Sequence, residues 1–127
     1  MQRIELTLPW PPSINRLWRM GRGAGKHGKP NWYVSKVAED YREEVLWKLR
    51  VQKPSKFTAT ARLHVDLILH PPNKRPRDVD NFWKLTGDIL QEAEIYQNDS
   101  QIDELFIYRR EIIKPDGCVN VFISQIA

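Results

Sequence analysis

Cysteine is nearly absent from this sequence: Cys118 is the single one in 127 residues. That excludes an internal disulfide and a zinc site built on several thiolates. Cys118 itself reads as a small hydrophobe. Long apolar runs are also missing, none approaching the roughly 20 residues of a membrane span. The opening Met1-Gln2-Arg3-Ile4-Glu5 has no apolar signal-peptide core. These absences point to a cytoplasmic protein without membrane contact. No internal repeat is present. Acid is missing from one stretch and base from another. Between Leu6 and Val37 the charges are Arg16, Arg19, Arg22, Lys26, Lys29 and Lys36, all positive. Between Asp78 and Glu104 the acids are Asp78, Asp80, Asp88, Glu92, Glu94, Asp99, Asp103 and Glu104, against Lys84 alone.

With 41% hydrophobic and 28% charged residues the chain is globular. Its length predicts one domain, residues 1–127, large enough to fold around a single core unaided. The net charge of +4 is a mild hint of an acidic partner. A basic protein that gathers half its acids in one stretch has either a solvated acidic face or a cation site. Asp88, Glu92 and Glu94 fall where helix-surface residues sit and read as plain surface charge.

The periodicities give an element order. Ile4, Leu6 and Leu8 alternate with Arg3, Glu5 and Thr7, a strand with one buried face. Pro9-Trp10-Pro11-Pro12 stops it. Arg19 to Lys29 is rich in glycine and base and reads as a mobile surface loop, either solubilising or contacting phosphate. Ser35 caps a helix to about Val51, with Val37, Tyr41, Val45 and Leu49 as its core stripe. Thr60 to His70 alternates again, with Leu63, Val65, Leu67 and Leu69 on one face. His64, Asp66 and His70 share the other face. His64 and His70 lie roughly 20 Å apart along a strand, too far to share an ion, so a face covered by a helix or a partner chain is the better reading. A helix starts near Asp78 or Asp80 and runs to about Glu94. Leu105 to Ile113 and Val119 to Ile126 are strands joined through the turn Lys114-Pro115-Asp116-Gly117, expected as an antiparallel hairpin. The order is β-loop-α-β-α-β-β. It predicts an α+β (or α/β) fold, with a mixed sheet and two main helices packing on it.

Chemistry concentrates in Arg75-Pro76-Arg77-Asp78-Val79-Asp80-Asn81. Residues i and i+2 of an extended segment share a side, roughly 7 Å apart, so Asp78 and Asp80 can converge on one cation. Asp99 is a third carboxylate. It joins them only if the fold returns its loop or a second subunit supplies it. Lys84 stands one turn past Asp80 and can meet the attacked phosphate. Carboxylates beside concentrated base are what a Mg²⁺-dependent enzyme acting on a polyanion requires. Two acids at this spacing also serve as helix caps, and D-x-D occurs in sugar-nucleotide transferases. No nucleotide phosphate or ribose site accompanies it here, so no small-molecule cofactor is expected.

The whole pattern resembles the RusA-type Holliday junction resolvases, small endodeoxyribonucleases often encoded by prophages. Three segments carry the resemblance: Leu8-Pro9-Trp10-Pro11-Pro12-Ser13-Ile14-Asn15-Arg16, Arg77-Asp78-Val79-Asp80-Asn81 with Lys84, and Asn98-Asp99-Ser100-Gln101-Ile102. It implies that Asp78, Asp80 and Asp99 bind the metal and that Lys84 is catalytic or contacts DNA, with Arg77 and Asn81 inside the same motif. It implies a homodimer, Mg²⁺ with Mn²⁺ as substitute, and paired nicks across a four-way junction leaving 5′-phosphate and 3′-hydroxyl ends. Asn98 replaces the first of two adjacent acids common in the family. Gly87 stands where some members carry an aromatic, with Trp83 on the same helix as its candidate substitute. The residues themselves agree. A two-fold junction offers two equivalent phosphates, matching a two-fold dimer with one acidic site per subunit. Arg16, Arg19, Arg22, Lys26, Lys29, Lys74, Arg75, Arg77, Asn81 and Lys84 are the expected DNA contacts, mostly insensitive to sequence. The alternatives are a non-catalytic DNA-binding module, whose acids only cap helices, and a nuclease preferring flaps or forks.

Overall fold

The alternation of Ile4, Leu6 and Leu8 with Arg3, Glu5 and Thr7 forms strand β1 (Arg3–Pro9), apolar residues buried and polar ones exposed. The computed structural model describes residues 2–13, 18–24 and 30–127, with side chains described for 2–13 and 35–127. After β1 come β2 (Trp18–Ala24), β3 (Pro30–Val34), helix α1 (Lys36–Gln52) and β4 (Leu63–His70). A short 3-10 turn (Val79–Phe82), helix α2 (Lys84–Glu92), a second 3-10 turn (Asp99–Gln101), β5 (Ile102–Arg109) and β6 (Cys118–Gln125) complete the chain.

Four strands form one mixed sheet in the order β1-β6-β4-β5. β6 runs antiparallel to both β1 and β4, and β4 runs parallel to β5. The register stacks apolar residues in rows: Ile4, Ile123 and Val65 form one, Leu6, Val121 and Leu67 the next. All six are buried. Each such side chain contributes roughly 1.5–3 kcal/mol by leaving water, and this shared face fixes the register, because a one-residue slip would expose it.

Ser35 caps α1, its hydroxyl accepting from the Ala38 N–H at 3.2 Å. The buried stripe of α1 is Ala38, Tyr41, Val45 and Leu49. Val37, expected in that stripe, is exposed, because the helix turns its neighbour Ala38 inward. Lys53 ends the helix in the left-handed conformation, its N–H donating to the Leu49 carbonyl.

Two expectations change. Of the loop expected from Arg19 to Lys29, Arg19 to Ala24 lies in strand β2, and residues 25–29 lie outside the described residues. β2 and β3 pair antiparallel as a separate two-stranded sheet. β5 and β6 do not form a hairpin: β4 lies between them, because β5 pairs in parallel on its far side. The turn at Lys114-Pro115-Asp116-Gly117 remains. Gly117 has φ +71°, and a Cβ there would lie 2.8 Å from the His70 carbonyl and from Pro72, so only glycine fits. No helix among the described residues is long and apolar enough to cross a membrane.

Candidate active site

The segment from His70 to α2 carries the acidic motif. Asn73 organises it, with its side-chain oxygen accepting from the Arg75 N–H at 3.0 Å and from the Arg77 guanidinium at 2.8 Å. Arg77 also donates to the carbonyls of Asn73 (3.3 Å) and Arg75 (3.0 Å). Its charge lies 5.4 Å from the centre of the Trp10 ring, and Trp10 in turn meets Phe82 at 4.8 Å. Trp10, directly after β1, is thus a platform under Arg77. Burial first, then the Arg75 and Arg109 charges, holds the Arg77 guanidinium below its ordinary pKa.

Asp78 and Asp80 follow, both exposed. Asp78 occupies the cap position of the first 3-10 turn without making a side-chain cap bond, and the cap position of α2 is Trp83, also without one. Helix capping therefore does not explain this acid pair, which removes the ground for reading Asp78 as a cap. Among the described residues neither aspartate is in an ion pair. Lys84 is exposed and sits 3.3 Å from Asp88, one turn further along α2. Asn81 is half-buried.

Asp99 begins the second 3-10 turn, held by a network around Gln101. The Gln101 side chain is buried; its oxygen accepts from the N–H groups of Gln97 (2.8 Å) and Asn98 (3.0 Å). Its amide donates to the carbonyls of Thr58 (2.8 Å) and Ala61 (2.9 Å). Asn98 and Gln101 form a capping box, and the Asn98 side chain also accepts from the Ser100 N–H at 2.9 Å. The Asp99 N–H donates to Gln91 at the end of α2 (2.8 Å). Beside it, the Tyr96 hydroxyl donates to the Gly87 carbonyl at 2.6 Å. Burial, then the Asp99 and Asp88 charges, raises that hydroxyl's pKa.

Asp80 therefore precedes α2 and Asp99 follows it, with a helix of about 13 Å between. Among the described residues no group of three or more His, Cys, Asp or Glu is placed to hold a metal ion. One chain by itself does not gather Asp78, Asp80 and Asp99.

The other expected contacts divide. Arg16, Lys26 and Lys29 lie outside the described residues, and Arg19 and Arg22 lie on β2, where side chains are not described. Lys74 and Arg75 are exposed beside the acids. The sequence reading missed Arg109 and Arg110. Arg109 donates to the Arg77 carbonyl, and both line the same concavity as Arg75. Only the parallel β4–β5 pairing, which sets Leu69 opposite Arg109, reveals them. Trp83 packs on Gly87: a Cβ there would meet its ring at 2.8 Å, so the glycine makes room for that indole.

His64 and His70 serve separate structural roles. His64 meets Asp66 at 3.0 Å and Glu104 at 3.1 Å, whereas buried His70 donates from Nδ1 to the Glu111 carbonyl at 2.9 Å.

Comparison with known proteins places the chain. The family model described as Endodeoxyribonuclease RusA matches residues 9–123. The chain is 32% identical over 126 residues to the crossover junction endodeoxyribonuclease rusA of Enterobacteria phage HK97, covering 99% of this chain and 98% of that protein. It is 30% identical over 128 residues to the proteins so named in Enterobacteria phage 82 and Escherichia coli strain K12, with the same coverage.

Proposed function

The chain belongs to the endodeoxyribonuclease RusA family, and on that footing we propose that it is a metal-dependent, structure-selective DNA endonuclease that resolves four-way junctions by paired nicks. The observation that carries this reading is the end-to-end match to relatives named as crossover junction endodeoxyribonucleases. We read residues 1–127 as one catalytic domain acting in the cytoplasm.

The donor chemistry fits a hard divalent cation. Asp78, Asp80 and Asp99 are exposed carboxylates that form no ion pair among the described residues. These three would hold Mg²⁺, with Mn²⁺ as substitute. The cation would polarise the phosphodiester and make a water more acidic. Water attacks phosphorus in line and the 3′ oxygen leaves, giving 5′-phosphate and 3′-hydroxyl ends. Lys84 brings its ammonium to the attacked phosphate. Arg77, fixed by Asn73 and Trp10, sets the backbone from which Asp78 projects.

The carboxylates complete one another across a homodimer. β5 is an edge strand whose Leu105 and Phe106 are exposed. A second copy laid antiparallel on that edge by a two-fold axis would set the end of β5 that follows Asp99 against the end beside Asp78. This supports an acid set shared between two chains and two equivalent sites facing a two-fold junction.

Asp80→Asn tests the reading. The variant is expected to bind a synthetic four-way junction like the parent and to lose nicking in Mg²⁺ by on the order of 100-fold or more. Nicking at the parental rate would overturn the assignment.

A further inference from the structure

At the carboxyl ends of the parallel strands β4 and β5 lies a concavity of about 420 Å³. Lys74, Arg75, Arg77, Arg109 and Arg110 line it, and Trp10, Leu69 and Phe82 provide an apolar wall. The crevice outside the carboxyl ends of parallel strands is where open sheets place ligands. Here the β4–β5 register produces it by setting Leu69 against Arg109.

Among the described residues none of these five cations forms an ion pair with a carboxylate. The acid on the rim, Glu111, stands 3.7 Å from His70 Nδ1. Like charges so collected repel one another, and Arg77 registers this: after burial, the neighbouring guanidinium charges of Arg75 and Arg109 lower its pKa. Positive charge gathered with no ion-paired carboxylate among the described residues is suited to an external anion.

The cations have two jobs. Arg77 spends its donors on the loop and supports the wall. Arg109 ties that wall to the end of β5 through the Arg77 carbonyl. Arg75 and Arg110 are exposed. Arg110 donates one N–H to the Arg109 carbonyl at 3.0 Å and lies 4.9 Å over the Tyr108 ring, which orients its plane. Planar, weakly hydrated guanidinium groups match a phosphodiester better than lysines do.

We propose that this concavity is an anion site for a backbone phosphate of the DNA strand being cut, distinct from the phosphate at the aspartates and held chiefly by Arg75 and Arg110. The inference rests on the nuclease reading and deepens it. Arg77 and Asp78 are consecutive, with Cα atoms about 3.8 Å apart. A phosphate seated here belongs to a nucleotide next to the scissile one, and it fixes the register of the strand on the acids.

The test is binding without metal. Junction affinity is measured by fluorescence anisotropy in EDTA across a salt series, for the parent, Arg75→Gln/Arg110→Gln and the distant control Lys48→Gln. The double variant is expected to bind about 10–100-fold more weakly near 100 mM salt. Its log–log salt slope should fall by roughly one phosphate-contact equivalent per subunit engaged, about 0.9, and the control by far less. A junction carrying one neutral methylphosphonate beside the scissile position should weaken the parent and leave the double variant nearly unaffected. A double variant with the parental slope overturns this site alone. A parent that binds no junction in EDTA overturns both this site and the reading beneath it.

Discussion

The two ends of the β4–β5 pair handle charge in opposite ways. At the amino-terminal end the charges on and beside the strands are paired: Arg62 with Asp103, and His64 with Asp66 and Glu104. At the carboxyl-terminal end Lys74, Arg75, Arg109 and Arg110 stand together with no carboxylate in ion-pair range among the described residues. The same two strands thus carry a neutralised end and a charged one. Answered charges hold the protein to itself. Unanswered charges are available to hold something else. The aspartates divide along the same line, Asp78 beside the charged end and Asp99 just before the neutralised one.

If catalysis joins the two ends through a second chain, inactive variants should rescue each other. Asp80→Asn and Asp99→Asn are each expected to be inactive. Mixed and allowed to exchange, half of the dimers are hybrids, and each hybrid keeps one complete set of acids. Single-strand nicking should return, at about a quarter of the parental sites, without paired cutting. A mixture that stays inactive, with exchange verified by differently tagged chains, would show that each chain uses its own Asp99.

Gln101 sharpens the contrast in stability. Gln101→Leu removes the partners of two backbone N–H groups and two carbonyls. The expected cost is about 2–3 kcal/mol, read as a lower urea midpoint with an unchanged slope. Arg75→Gln, at the charged end, should move the same midpoint by less than about 0.5 kcal/mol. If Arg75→Gln proves the more destabilising, the division of labour between the ends is wrong.

Arg62→Gln complements this in binding. Its charge is already spent on Asp103 and on the Ser100 carbonyl at 2.9 Å. The salt slope for junction binding should stay at the parental value, in contrast to the Arg75/Arg110 pair. A drop in slope as large as that pair's would place DNA at the neutralised end too.

Legibility in the sequence followed the range of the interactions. β1, α1 and β4 were readable because local periodicity and a serine cap determine them. β2 was not, since its Gly/Arg-rich strand lacks an alternating apolar face. The β5–β6 hairpin was a local inference from a real turn, and it failed because the strongest partner of β5 is β4, more than thirty residues earlier. At the site, Asp78, Asp80 and Asp99 stand out through their motifs. Whether they meet depends on the assembly, which spacing along one chain does not encode. Arg109, Arg110 and Trp10 act there through topology alone. Gln101, already inside a recognised motif, gave no sign that its side chain would be buried with four hydrogen bonds.

The smallest expected effect is on His64, and pH exposes it. Partial burial lowers the pKa of its imidazole, but hydrogen bonds and charge from Asp66 and Glu104 more than offset this, leaving it above the ordinary 6.5. The folded state therefore binds the proton more tightly than the unfolded chain does. The stabilisation is fully present below about pH 6.5 and fades as pH rises through the higher folded value. Urea midpoints of the parent and His64→Gln should differ more at pH 6 than at pH 8.5. A gap that widens toward high pH would mean that His64 is held neutral, and that even the neutralised end keeps an unmatched acid.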